Sequence, residues 1–162
     1  MRTGIRGSVG VQALASFGPL ALGFFTVWQE SLLCTGQLLT QHAAASAARS
    51  AAVVIPDDPK RYGGSQANTI SNERTQAVRA AAVRAMAPLV YDETIEDVEV
   101  SFPGTAGRVE PGRELTVKVT STFRCVLPLA RSLVCDSNGT TKLTSEAKMP
   151  AQAARYEYGS KP

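Results

Sequence analysis

Residues 7–29 read GSVGVQALASFGPLALGFFTVWQ, and no side chain from Gly7 to Gln29 is ionisable. Arg2 and Arg6 precede this stretch, Glu30 follows it, and the next basic residue after Arg6 is Arg49. At about 1.5 Å per residue, a helix over Ser8–Gln29 spans roughly 33 Å, close to the ~30 Å hydrocarbon core of a bilayer. Its apolar residues surround the whole circumference rather than one stripe, as a helix in lipid requires. Trp28 falls at the far end, where an amphipathic ring rests at headgroup level. A buried core helix could be this apolar, but an uncharged block at the N-terminus behind two arginines favours the membrane. A cleaved secretory signal has a shorter apolar block with small residues soon after it. Here the run Gln29–His42 separates the block from Ala43, Ala45 and Ala47. A lipoprotein signal needs a small residue before its cysteine, and Leu33 precedes Cys34. The reading is a basic cytoplasmic leader at 1–7 and a single-pass transmembrane helix at 8–29. By the positive-inside rule the N-terminus stays cytoplasmic and everything after Trp28 is exported.

Beyond the span, helical spacing continues through Glu30–Val54, with Leu32, Leu33, Leu39, Ala43, Ala47 and Ala51 in phase and Gly36 as a weak point. Pro56, Asp57, Asp58 and Pro59 end it, giving a membrane-proximal helix at 30–55. One rod over Ser8–Val54 would be roughly 70 Å long. Its alanine-rich part, Ala43–Ala52, has little bulk and lets another element approach closely. Lys60–Ile70 reads as a loop around Gly63-Gly64. Ser71 or Asn72 caps a second helix, with Glu73 suited to the positive end of its dipole. Ala77, Val78, Ala81, Ala82, Ala85, Met86 and Leu89 form its apolar stripe, opposite Arg74 and Arg79, and Pro88 marks its end. The period then becomes two: Ile95–Phe102, Leu115–Thr120 and Thr140–Ala147 are expected strands, separated by Pro-Gly turns and by Asp136-Ser137-Asn138-Gly139. The fold class is therefore α+β. A long transmembrane helix continues into an exported rod, and a small head at 56–162 carries one further helix and an antiparallel sheet.

The chain has 162 residues, 17 Lys+Arg against 14 Asp+Glu, and 19% charged residues. A net charge of +3 over this length is too weak to propose nucleic-acid binding, and 44% apolar residues exclude a disordered chain. Of three cysteines, Cys125 and Cys135 flank the loop Val126–Val134 in the exported part, where an oxidising compartment favours a disulfide over two free thiols. Cys34 is left over just past the membrane edge and reads as a small packing residue. The single histidine, His42, is remote from the other cysteines, so no metal site is expected. Asp97 and Glu99 alternate with Val98 and Val100, which makes them a strand's solvent face. Asp57 and Asp58 read as turn residues, and Asn138-Gly139-Thr140 is a frequent chance match to a glycosylation acceptor. No nucleophile motif or phosphate loop is present, so no catalytic residue, cofactor or small-molecule substrate is expected.

The order of features resembles the TadE/TadG-like pseudopilin-like family of the tight-adherence (Tad/Flp) pilus system. The resemblance rests on the leader Arg2–Arg6, Gly7, the uncharged helix Val9–Trp28 with Pro19, and the alanine-rich His42–Val54. The segment Val117–Cys135, followed by Glu146–Pro150, is similar to family heads. The resemblance implies a non-enzymatic, membrane-anchored component of pilus assembly or a related secretion machine in the bacterial inner membrane. Its head would be periplasmic, and its partners would be membrane lipid, other pilin-like subunits and pilus assembly proteins. Gly7 would then be the candidate prepilin peptidase site, with Ser8 as first residue after the cut. Type IV pilin-like proteins carry a glutamate at the fifth position, and Gln12 stands there instead. The register fits and the charge does not, which points to a minor or tip subunit or to an uncleaved assembly factor. Gly10, Ala13, Gly18 and Ala21 would allow close helix packing. The alternative is a membrane-tethered extracytoplasmic binding module unrelated to pili.

Overall fold

The computed structural model describes residues 5–105, 107–110 and 112–152. Expectations about residues 1–4 of the leader and about 153–162 lie outside the described residues. Among the described residues, four α-helices, α1 (Ile5–Val54), α2 (Asn72–Ala85), α3 (Ala87–Tyr91) and α4 (Pro128–Val134), and a 3-10 turn at Pro59–Arg61 accompany three strands, β1 (Ile95–Ser101), β2 (Glu114–Arg124) and β3 (Thr140–Pro150). The architecture is α+β, as the period change from helix to strand requires. Helix α1 is one 50-residue rod with Pro19 inside it, about 75 Å long. It runs unbroken across the expected junction between span and rod at residues 29–30.

The strands form one antiparallel sheet in the order β1-β2-β3. Strand β2 alternates without a fault: Leu115, Val117, Val119, Ser121 and Phe123 are buried, and their neighbours face outward. Strand β1 buries Ile95 and Val98, three residues apart, which a regular period of two forbids. A register shift between Ile95 and Asp97 reconciles them, since the extra residue of a bulge returns Val98 to the inner face. The β2–β3 ladder continues from Glu114 opposite Pro150 to Arg124 opposite Thr140, longer at both strands than the alternating residues alone suggested.

The second half of α1 lies across this sheet. Gly36, Thr40, Ala43, Ala44, Ala47, Ala48, Ala51 and Ile55 are buried at three- and four-residue spacing. Their smallness brings the helix backbone close to β2 and β3. Gly36 is the clearest case. A Cβ there would come within 2.9 Å of both the Phe123 ring and Leu143 Cδ1. A glycine costs helix propensity of about 1 kcal/mol, and here it makes room for the ring of Phe123, which is buried to 1%. One turn on, the Thr40 and Ser121 hydroxyls pair at 2.8 Å, so the only polar side chain on the inner face of β2 is satisfied by α1.

Three local expectations are corrected. Arg74 does not lie on a solvent face opposite the α2 stripe; it is 1% exposed. Pro88 does not simply end α2: the chain turns at Met86, and Pro88 sits in the first turn of α3, where its missing N–H costs nothing. Residues 126–134 are not all loop, since α4 occupies most of them. Ser71 does cap α2, its Oγ accepting the Arg74 N–H at 3.3 Å.

Candidate functional site

Helix α1 divides by its surroundings rather than by its backbone. From Val9 to Trp28 its large apolar side chains stand exposed: Val9, Val11, Leu14, Phe17, Leu20, Leu22, Phe24, Val27 and Trp28. Leu14, at 75%, is as open as a side chain on an isolated helix. At about 1.5–3 kcal/mol for each such side chain, removing nine of them from water is worth roughly 15–25 kcal/mol. That gain exceeds the total stability of most small domains, so this half of the rod requires an apolar surrounding. It is the one helix among the described residues long and apolar enough to cross a membrane, and its most apolar stretch is 0% buried by the rest of the chain. Phe24 packs edge-on against both Phe25 and Trp28, with ring centroids 5.6 and 5.9 Å apart.

The candidate processing and helix-packing residues fall on the first half of α1. Gly7 and Ser8 are in the first turns of α1, and Gln12 is exposed one turn later. Added Cβ atoms at Gly10 and Gly18 would meet nothing within 4 Å. At 100° per residue, Gly10, Ala13, Gly18 and Ala21 occupy one arc of about 140°, and Gln12 points to the opposite side. The small-residue face and Gln12 are therefore on separate sides of one helix.

The environment changes abruptly at Gln29, whose side chain is 0% exposed. Its Oε1 accepts the backbone N–H of Leu127 at 3.2 Å, joining α1 to the loop that carries α4. That loop is closed by a disulfide between Cys125 and Cys135, in agreement with the sequence reading. The Cys125 N–H donates to the Gly139 carbonyl at 2.9 Å, so the bridge starts at the end of the sheet. Gly139 has φ +74°, and a Cβ there would collide with the Arg131 guanidinium, whose Nη2 donates to the Asn138 carbonyl at 2.7 Å. Cys34 is free and exposed, not the packing residue expected.

The opposite end of α1 is held by a residue whose role was not foreseen. With no basic residue in its last turn, α1 leaves its terminal carbonyls and the negative end of its dipole uncompensated locally. Arg74 compensates them from α2. Its Nη1 donates to the Val54 carbonyl and, at 2.8 Å, to that of Ile55; its Nη2 reaches the carbonyls of Asp57 at 3.0 Å and Ser65 at 3.2 Å. The guanidinium also lies 4.6 Å from the centre of the Tyr62 ring. Burial pushes the Tyr62 phenol above its ordinary value, and the adjacent Asp57 carboxylate adds to the rise. Glu73 is held below the usual carboxylate range by its own backbone N–H and the Ser71 hydroxyl. Asp92 is lowered by the hydroxyl and then the N–H of Thr94. Arg79 ties α2 to β1, donating to the Val98 carbonyl at 2.6 Å and to Asp97 at 2.8 Å. Asp97 is thus only half on a solvent face.

Among the described residues, no group of three or more His, Cys, Asp or Glu could hold a metal ion. Compared with protein-family models, with curated proteins and with solved structures, the chain matches none. The functional reading therefore rests on the geometry of α1 and its junction with the head.

Proposed function

We propose that this chain is a non-enzymatic, membrane-anchored, pseudopilin-like component of a Tad-type pilus or a related secretion machine. The observation that carries the reading is the continuity of α1. Its apolar first half stands clear of the head, while its alanine-rich second half is the central layer of the head's core. A tethered binding module is served by a pliant linker that lets it search for ligand. Here anchor and head share one helix, so packing of the first half against neighbouring helices fixes where the head points. That rigid coupling suits a subunit of an assembly and favours it over the tethered module. Lateral contact would use the arc of Gly10, Ala13, Gly18 and Ala21, where close backbone approach gains dispersion contacts. The neutral Gln12 would place no charge in such an apolar shaft, where an unpaired carboxylate is costly.

In this reading α1 spans the bacterial inner membrane once, with the arginines inside and the head in the periplasm. The disulfide supports an extracytoplasmic head, since such bonds persist in oxidising compartments. Affinity capture of the full-length chain from native membranes should recover pilus assembly proteins, and recovery of none would overturn the proposal. Intact-mass analysis of the same material decides between its two forms. A mass retaining Met1–Gly7 identifies an uncleaved assembly factor, and loss of that segment identifies a processed subunit. Cys34, exposed just beyond the span, reports orientation. A membrane-impermeant maleimide should label it from the periplasmic side.

A further inference from the structure

We propose that the disulfide-closed loop Cys125–Cys135 is a second membrane contact, laying Val126 and Leu133 on the headgroup–acyl boundary of the bilayer that α1 crosses. The inference rests on the reading of α1 as a membrane span. Three observations carry it. First, the Leu127 N–H is bonded to the side chain of Gln29, one residue past Trp28 at the end of the charge-free stretch. The loop backbone is therefore within one side chain's reach of α1 at the level where the span ends. Second, Val126 is 58% and Leu133 62% exposed, although α4 packs on α1 and the Cys125 side chain between sheet and loop is buried. These two large apolar side chains lie outside the packed core of the head. Third, the loop is not free to retreat. It is pinned by the Cys125–Cys135 bond, by the Gln29 contact and by the Arg131 bond to the Asn138 carbonyl. A bilayer reaching Trp28 meets this loop first among the elements of the head. The occupant that continuity selects is lipid, because the same surface already surrounds the adjoining turns of α1. Interfacial burial of short apolar segments is a recognised mode of membrane attachment. A loop that rests on the membrane beside the rod would give the head two points of support and fix its tilt.

Trp28 is the chain's single tryptophan, which makes the test direct. The full-length protein is reconstituted into phosphatidylcholine vesicles with and without brominated acyl chains, as wild type and as the pairs W28F/V126W and W28F/L133W. A fourth protein, W28F/V53W, places the probe on an exposed position of α1 far from the span. Both loop tryptophans should show blue-shifted emission and lose intensity to brominated lipid to an extent comparable with Trp28. The probe at position 53 should stay red and unquenched. Loop probes that behave like position 53 while Trp28 is quenched overturn the second contact and leave the anchor standing. An unquenched Trp28 overturns the anchor itself and the proposal with it. All substituted positions are exposed, so folding of the head is not at stake, and a retained far-ultraviolet spectrum verifies it.

Discussion

Replacing Arg74 by methionine keeps most of the apolar stem and removes every guanidinium donor from the end of α1. The carbonyls of Val54 and Ile55 retain backbone donors, the Asp57 N–H at 3.3 Å and the Asn68 N–H at 2.9 Å. Those of Asp57 and Ser65 lose the Arg74 donor at a site where the arginine is 1% exposed. Each such loss costs about 1–3 kcal/mol, and the stacking on Tyr62 adds about 1 kcal/mol. Replacing a buried charge by an apolar side chain can be neutral when both partners go. Here the substitution is one-sided, since the carbonyls and the helix dipole remain. A loss of about 3–5 kcal/mol is expected, a large share of a small domain's stability. In thermal unfolding of the full chain in detergent this lowers the midpoint by roughly 10–15 °C. Arg74→Lys keeps the charge but not the planar fork, and should recover about half of the loss. Amide exchange at Ala51–Ile55 should accelerate in the methionine variant before the sheet amides change. If Arg74→Met unfolds within about 1 kcal/mol of the parent, the cap has no energetic role and the reasoning fails.

Gly36→Val should destabilise the head by about 2–4 kcal/mol in urea unfolding, because the buried Phe123 ring cannot yield to the added Cβ. Gly23→Ala, where a Cβ meets nothing within 4 Å, should leave the midpoint unchanged or slightly raised. Thr40→Val strands the Ser121 hydroxyl, leaving it only a marginal 3.5 Å contact with the Leu143 carbonyl, at a cost of about 1–2 kcal/mol. Adding Ser121→Ala should restore most of that loss, and a double-mutant cycle with additive costs would refute the pairing. A folded-state phenol pKa raised above 10.0 means that Tyr62 contributes stability present below that value and lost as pH rises through the raised one. In an ultraviolet phenolate titration Asp57→Asn should bring its ionisation to lower pH; an unchanged curve would show that burial alone sets it.

The rod, its termination before Pro56, the capped second helix and the period-two strands were legible in the sequence. Each depends on spacing and turn chemistry that act over a few residues. The Cys125–Cys135 bridge was legible for the same reason, because two cysteines ten apart around a short loop have few other partners. The partners of Arg74 were not legible. Read as lying with Arg79 on the polar face, Arg74 in fact precedes Val78, Ala81 and Ala82 by four, seven and eight residues and so shares the apolar stripe of α2. Its destination is a set of carbonyls nine to twenty residues away in sequence, exposed only when α1 ends beside α2. The signals were that inward phase on α2 and the absence of any basic residue in the last turn of α1, which left that helix end in need of a donor.

Gly36 and Gln29 teach the same distinction. Local propensity marks Gly36 as a flaw in a helix, and only the approach of Phe123 from β2 makes a missing side chain an advantage. Gln29 reads as the first polar residue after an apolar block, and only the folded head buries it against the loop at Leu127. Which residues can live in lipid was readable from the chain alone, because hydrophobicity is a property of each side chain and of its neighbours along the chain. Folding set where the exposed apolar half of α1 ends, which charge caps its far end and which loop adjoins its near end. Those depend on contacts between distant segments, and the free energy of such contacts exists only once the chain has closed upon itself.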